Sequence, residues 1–142
     1  MAKKMKMTQL IVVDDHTFAR AGVKLYCEDY PDINVVGEAG DCDTLFRFLS
    51  AAPVDMVLLG VNPSKAMDCL RITRRLRRDY PTIKILALAN ENTAETVNSM
   101  MQAGIDGFIG KRQADKVELL AAIQRVASGE GYVGRIDTFD LY

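Results

Sequence analysis

Five short apolar runs punctuate the chain: Leu10–Val13, Ile33–Val36, Met56–Leu59, Ile83–Leu88 and Phe108–Ile109. They recur roughly every 25 residues, an interval that accommodates a strand plus a crossover helix. The third run, Asp55-Met-Val-Leu-Leu59, is apolar without alternation from Met56 to Leu59. A strand apolar on both faces belongs inside a parallel sheet covered by helices on each side. Gly60 and Pro63 are read as breaking it.

Between the runs the period changes to that of helices. Thr17–Glu28 offers an apolar face of Phe18, Ala21, Val23 and Leu25, with Thr17 as its N-cap. Asp43–Ala51 follows, stopped by Pro53, because a residue before proline is driven out of the helical region. Lys65–Asp79 carries Cys69, Ile72 and Leu76 on one face and Arg71, Arg74, Arg75 and Arg78 on the other. Thr93 caps Ala94–Ala103, and Gly104 sits where a left-handed C′ residue is needed. Asp115-Lys-Val-Glu118 has the form of a capping box and opens a last helix running to about Ser128. Residues 1–8 read as a tail, 9–129 as one domain and 130–142 as a linker or tail.

This alternation is (βα)5, an α/β fold. Right-handed crossovers leave few arrangements, and the commonest five-stranded parallel sheet has order 2-1-3-4-5. Strands 1 and 3 then lie side by side at the switch point. Ligands of such folds bind outside the carboxyl ends of the strands, so Asp14-Asp15 and Gly60 face one another across one crevice.

Composition narrows the class. At 142 residues, 49% hydrophobic and 26% charged, the chain is an ordinary globular domain. A net charge of −1 gives no general attraction for nucleic acid or membrane. Cys27, Cys42 and Cys69 are odd in number and widely spaced, which speaks against a disulfide framework or zinc site. The basic N-terminus lacks the apolar stretch of a signal peptide, and no run is long enough to span a membrane. A cytoplasmic protein is expected.

Two adjacent acids at a strand end raise each other's pKa unless a cation or base is near. Asp14 and Asp15 are therefore either a Mg²⁺ site, built from carboxylates and water, or a turn in which Asp15 or Thr17 caps the first helix. The arginine stripe of the third helix has the same duality: a dock for an acidic partner or phosphate backbone, or a solvated outer face.

Val13-Asp14-Asp15-His16-x-x-x-Arg20-x-Gly22 resembles the opening of a bacterial response-regulator receiver domain. It is similar to the NarL/FixJ subgroup, usually fused to a LuxR-type helix-turn-helix. Val35-Val-Gly-Glu-Ala39, Asp55–Leu59, Ala103-Gly-Ile-Asp-Gly-Phe108, Lys111 and Ser128-Gly-Glu-Gly-Tyr132 follow the same pattern in order and spacing. The resemblance covers about residues 9 to 133 and implies a flavodoxin-like fold.

A working receiver transfers a phosphoryl group to a strand-3 aspartate, supported by Mg²⁺ on the acidic pair, a strand-4 Ser or Thr and a strand-5 lysine. By the resemblance, Asp14 and Asp15 fall on the acidic pair, Lys111 on the lysine and Phe108 on the aromatic switch position. The acceptor position falls on Gly60 and the Ser/Thr position on Ala89. The following loop, Gly60-Val-Asn-Pro63-Ser-Lys-Ala-Met67, also departs from the subgroup. Glycine forms no acyl phosphate and alanine offers no hydroxyl. The expectation is a degenerate, phosphorylation-independent receiver, a signalling module and not an enzyme, with no catalytic residue. No cofactor is required; Asp14 and Asp15 alone hold Mg²⁺ weakly, and Lys111 is expected to pair with Asp14. His16 reads as structural.

The resemblance implies control of a transcriptional output through dimerisation or protein contacts. The partners it implies are a second copy, through the fourth and fifth helices and the Phe108 strand, and a sensor kinase or other signalling protein. DNA contact is expected only through an effector domain outside this chain, and no membrane partner is expected. Two rivals stay open: phosphorylation at a non-standard residue, Asp68 or Ser64, and an adaptor or small-ligand module using the vacated crevice.

Overall fold

The computed structural model describes residues 7–62, 68–112 and 114–136. Among the described residues five helices and six strands alternate: β1 (Thr8–Val13), α1 (Thr17–Cys27), β2 (Ile33–Ala39), α2 (Cys42–Ala51), β3 (Met56–Val61), α3 (Cys69–Asp79), β4 (Lys84–Ala89), α4 (Ala94–Ala103), β5 (Gly107–Gly110), α5 (Lys116–Ala127) and β6 (Tyr132–Val133). The strands form one parallel sheet of order β2-β1-β3-β4-β5-β6.

Strand alternation sorts the core into two halves. Ile11, Val13, Val57, Leu59, Ile85, Ala87 and Phe108 pack with α2, α3 and α4. Leu10, Val12, Met56, Leu58, Leu86 and Ile109 pack with α1 and α5. Both faces of β1, β3 and β4 are thus dry, which is why their sequences are apolar without a polar side.

The expected order 2-1-3-4-5 is present, but the sheet has a sixth strand. Gly129 turns the chain at φ +93° after α5. Tyr132 and Val133 then pair with Gly107 and Phe108, and Gly134 N–H donates to Phe108 O at 2.8 Å. This piece lies in the segment read as linker or tail. A two-residue strand is too short to carry a period, so pattern reading passed over it. It also lies along the edge of β5, the strand that carries Phe108.

Three further expectations need correction. Gly60 does not break β3: the strand continues through Val61, with Gly60 opposite Leu88 and Val61 opposite Ala89. The apolar face of α1 is not Phe18, Ala21 and Leu25, since Phe18 is 94% and Leu25 64% exposed. Val23 and Cys27 enter the core instead, with Tyr26 packed against it. Thr17 is the first helical residue, and His16 is the N-cap without a side-chain bond.

The caps read at Thr93 and Asp115 form, and two more stand where none is expected, at Asp41 and at Asp68, which the sequence reading places inside the third helix. Asp41, Asp68, Thr93 and Asp115 each accept the N–H three residues on. Gly104 closes α4 at φ +115°. The departures noted at Pro63, Ser64, Lys65 and Met67 lie outside the described residues, as does the predicted first turn of the third helix.

Candidate functional site

The carboxyl ends of β1, β3, β4 and β5 come together at one rim of the sheet. Asp14 follows β1 directly, its N–H donating to Ala39 O at 3.0 Å. Its side chain is buried, and one oxygen accepts the His16 N–H at 2.8 Å. Neither Asp15 nor Thr17 caps α1; the turn is closed by Asp14. Lys111 stands just beyond β5, fixed by its N–H to Ala89 O at 2.7 Å. Its ammonium reaches Asp14 Oδ2 at 2.7 Å, the pairing expected from the sequence.

Gly60 on β3 abuts the Asp14 carboxylate, and Ala89 at the end of β4 accepts the Lys111 N–H with its carbonyl while its methyl is buried in the core. A Cβ at position 60 would lie 2.0 Å from Asp14 Oδ2 and 2.5 Å from its Cγ. The Asp14 carboxylate therefore leans into the volume that a side chain at position 60 would fill. Cys69, opening α3, places Sγ 3.3 Å from Gly60 O. Burial pushes its thiol up to about 11, with the nearby acids Asp68, Asp14 and Asp15 acting in the same direction. Phe108 is fully buried in the core half that also holds Ala89 and Val97.

The centre of the pocket is a residue the sequence reading did not single out. Asn62, one position past β3, directs Nδ2 at Asp14 Oδ1 (2.9 Å) and Asp15 Oδ1 (2.8 Å). Its Oδ1 accepts from Lys111 Nζ at 2.8 Å and from Asn90 Nδ2 at 3.0 Å. Arg20 was also passed over except as a motif letter. Its guanidinium donates to Asp14 O at 2.5 Å and to Glu38 Oε1 at 2.8 Å. A signal was available: Asn62 and Asn90 are the first polar residues after buried strands, where the crevice of such a fold lies.

Asp14, Asp15 and His16 place potential ligand atoms within 4.8 Å of one another, a cluster able to hold a metal ion. Carboxylate oxygens suit Mg²⁺, which is commonly held by one or two carboxylates with waters completing its octahedron. The position expected to add a third carboxylate is Gly60, and both acids already accept from the Asn62 amide. The pair could hold a hydrated Mg²⁺, in competition with the Asn62 amide for its oxygens.

The arginine stripe of α3 is exposed. Arg75 lies 3.8 Å over the Phe46 ring, and Arg78 pairs with Asp79 at 2.9 Å.

The family profile described as response regulator receiver domain matches residues 10–124. The chain belongs to the response-regulator receiver family. The response regulator UvrY of Escherichia coli O6:H1 is 33% identical over 127 residues, covering 89% of this chain and 57% of that protein. The nitrate/nitrite response regulator protein NarP of Escherichia coli K12 is 36% identical over 121 residues, covering 85% and 55%. The chain thus spans a little over half the length of these relatives. In fold it is similar to the non-phosphorylated receiver domain of the stress response regulator RcsB from Escherichia coli, with a TM-score of 0.81 at 21% identity. That match covers 92% of this receiver and all of that chain. Among the described residues, no helix is long and apolar enough to cross a membrane.

Proposed function

We propose that this receiver is a phosphorylation-independent signalling module, with no enzymatic activity of its own, that regulates a transcriptional output through protein–protein contacts or dimerisation. The observation that carries the reading is the placement of Asp14 against Gly60. At the position matching the family's acceptor there is no carboxylate, and the volume one would occupy is filled by Asp14, held there by Lys111. Ala89, at the Ser/Thr position, has no hydroxyl with which to bond a phosphoryl oxygen. The lysine that would meet the phosphate charge is engaged by Asp14 and Asn62.

Phosphorylation elsewhere finds less support. Asp68 uses its carboxylate to cap α3, accepting the Arg71 N–H at 3.2 Å. Ser64 lies outside the described residues. A small-ligand role for the crevice meets the same obstacle as a phosphoryl group, since the crevice is filled by the chain's own side chains. Output then depends on surfaces, and α1 offers exposed Phe18 and Leu25 on its outer side. The partners proposed are a second copy, a sensor kinase or other signalling protein, and DNA by way of an effector domain.

Incubation with acetyl phosphate and Mg²⁺, followed by intact mass measurement, tests the central point. The expected spectrum is that of the unmodified chain. A stoichiometric phosphate adduct overturns the reading, and fragment masses would locate the acceptor.

A further inference from the structure

We propose that the Asn62 side-chain amide is the pocket's internal ligand, holding the Asp14 and Asp15 carboxylates in place of a divalent cation and keeping divalent cations out. The reading concerns cation binding and stands or falls separately from whether any residue accepts phosphate.

The geometry begins with one nitrogen shared between two acids. Asn62 Nδ2 lies 2.9 Å from Asp14 Oδ1 and 2.8 Å from Asp15 Oδ1, so each of its two protons has a carboxylate oxygen to meet. An ion bridging the two acids through these oxygens would hold each at about 2.0–2.1 Å. The amide and the ion therefore compete for one location.

Amide orientation is decided by the network, because oxygen and nitrogen of an Asn look alike until their partners are considered. Here the partners leave one answer. On the other side of the group stand two donors, Lys111 Nζ at 2.8 Å and Asn90 Nδ2 at 3.0 Å. Rotating the amide by half a turn would set its oxygen against two carboxylates and its protons against two donors. The observed orientation satisfies all four.

Asp14 is closed on its other side as well. Its Oδ1 also accepts the His16 N–H, and its Oδ2 accepts from Lys111. A cation entering the pocket must displace the Asn62 amide. It must also share Asp14 with the Lys111 ammonium, a like charge at 2.7 Å from the ligand oxygen. Glycine at position 60 returns no third carboxylate to offset these losses. Charge-assisted hydrogen bonds are among the stronger ones in proteins, and three of them converge on this amide, from Asp14, Asp15 and Lys111. Among the described residues, no buried side-chain nitrogen or oxygen lacks a hydrogen-bond partner. The pocket is complete as it stands.

The test is Mn²⁺ binding to the full chain, by paramagnetic resonance of free ion or by calorimetry. Asn62→Ala is expected to tighten Mn²⁺ binding by roughly tenfold or more, the equivalent of one charge-assisted hydrogen bond no longer in competition. Asn62→Asp, which supplies a carboxylate where the amide stood, is expected to bind more tightly still. Adding Asp15→Asn to either variant is expected to abolish the gain. Wild type binding Mn²⁺ as tightly as Asn62→Ala overturns the proposal. So does Asn62→Ala binding more weakly than wild type, since the amide would then be a metal ligand and not a substitute for one. Should the variants fail to fold, the wild-type chain decides alone. The Asn62 side-chain NH₂ resonances are expected to exchange slowly with water and to be unmoved by millimolar Mg²⁺. A saturable shift below the millimolar range overturns the proposal.

Discussion

Asp14 and Asp106 stand at opposite ends of the sheet and are built alike. Each carboxylate takes one cation and one backbone N–H: Lys111 and the His16 amide for Asp14, Arg77 and the Ile85 amide for Asp106. What surrounds them differs. The Arg77 guanidinium also donates to the carbonyls of Gly104 (2.6 Å), Pro81 (3.1 Å) and Ile83 (2.9 Å), so it fastens α3 to the approaches of β4 and β5. Lys111, by contrast, donates to Asn62, whose other partners are the side chains of Asp14, Asp15 and Asn90. A junction tied to backbone can hold only one arrangement while the fold persists. A junction tied to side chains can be reset by rotamer changes alone. The first is scaffold; the second is held by side chains.

Lys111→Met should produce the largest loss. It strands a carboxylate that is only 2% exposed, and breaking a buried pair from one side costs about 3 kcal/mol. Urea denaturation would show it, and Asp14→Asn in the same background should recover much of the loss. Recovery is the informative arm, because it separates a stranded charge from lost packing. Arg77→Ala should follow at about 2 kcal/mol, since its pair is partly exposed but three backbone carbonyls lose their donor. Here Asp106→Asn should rescue little. Equal rescue at both junctions would erase the distinction drawn between them.

How far this division was legible in sequence depends on the kind of signal. The two dry faces and the caps at Thr93 and Asp115 follow from local rules, apolar runs, helical spacing and side chains three residues before an amide, and the order of the first five strands follows from crossover handedness. The acidic pair and Gly60 were visible because each stands at a strand end, whereas Ala89 and Lys111 were legible only through the resemblance to receiver domains. Asn62 was missed because its role comes from four partners at the ends of β1, β4 and β5, and its one local mark is to be the first polar residue after a buried strand. Phe18 and Leu25 misled for a related reason. An amphipathic period tells which residues share a face, but α1 carries a second apolar stripe, and only packing against β1 and α5 decides which one is buried. The strand β6 needed Gly129 to turn the chain and β5 to receive it, neither of which two residues can announce.

Position 60 offers the next test. Gly60→Ala places a methyl where Asp14 Oδ2 now stands, 2.0 Å away, so Asp14 must turn from Lys111. A cost of about 1–3 kcal/mol is expected, as for an overpacked core. In an Asp14→Ala background the same substitution should cost little, because the obstructing carboxylate is gone and the two changes share one site. Cys69 supplies an independent readout. Its thiol is buried against Gly60 O and raised to about 11, so alkylation near pH 8 should be slow in the parent and faster in Gly60→Ala. Unchanged Cys69 protection beside a large stability loss would place the strain elsewhere in β3. Gly60→Asp should behave like Gly60→Ala in stability and still lack a hydroxyl at Ala89, so phosphate-driven switching is not expected to return from that change alone.

The smallest effect belongs to the pocket's outer brace. Glu38 accepts from Lys24 and Arg20, each at 2.8 Å, and these bonds, Lys24 first, hold its carboxyl below its ordinary value of 4.5. A depressed folded-state pKa means that the ionised form is favoured by folding. Its contribution is therefore full above the ordinary value and is lost as pH falls through the folded one. The group is on the surface, where solvent screens such pairs to a few tenths of a kcal/mol. Glu38→Gln should flatten the acid limb of the stability curve by that small amount and leave the neutral region lower by the same. Arg20 links this brace to the pocket through Asp14 O, so the substitution is also a test of reach. Mn²⁺ affinity unchanged in Glu38→Gln would confine the resettable part to Asp14, Asp15, Asn62, Asn90 and Lys111. An altered affinity would extend it along Arg20 to β2.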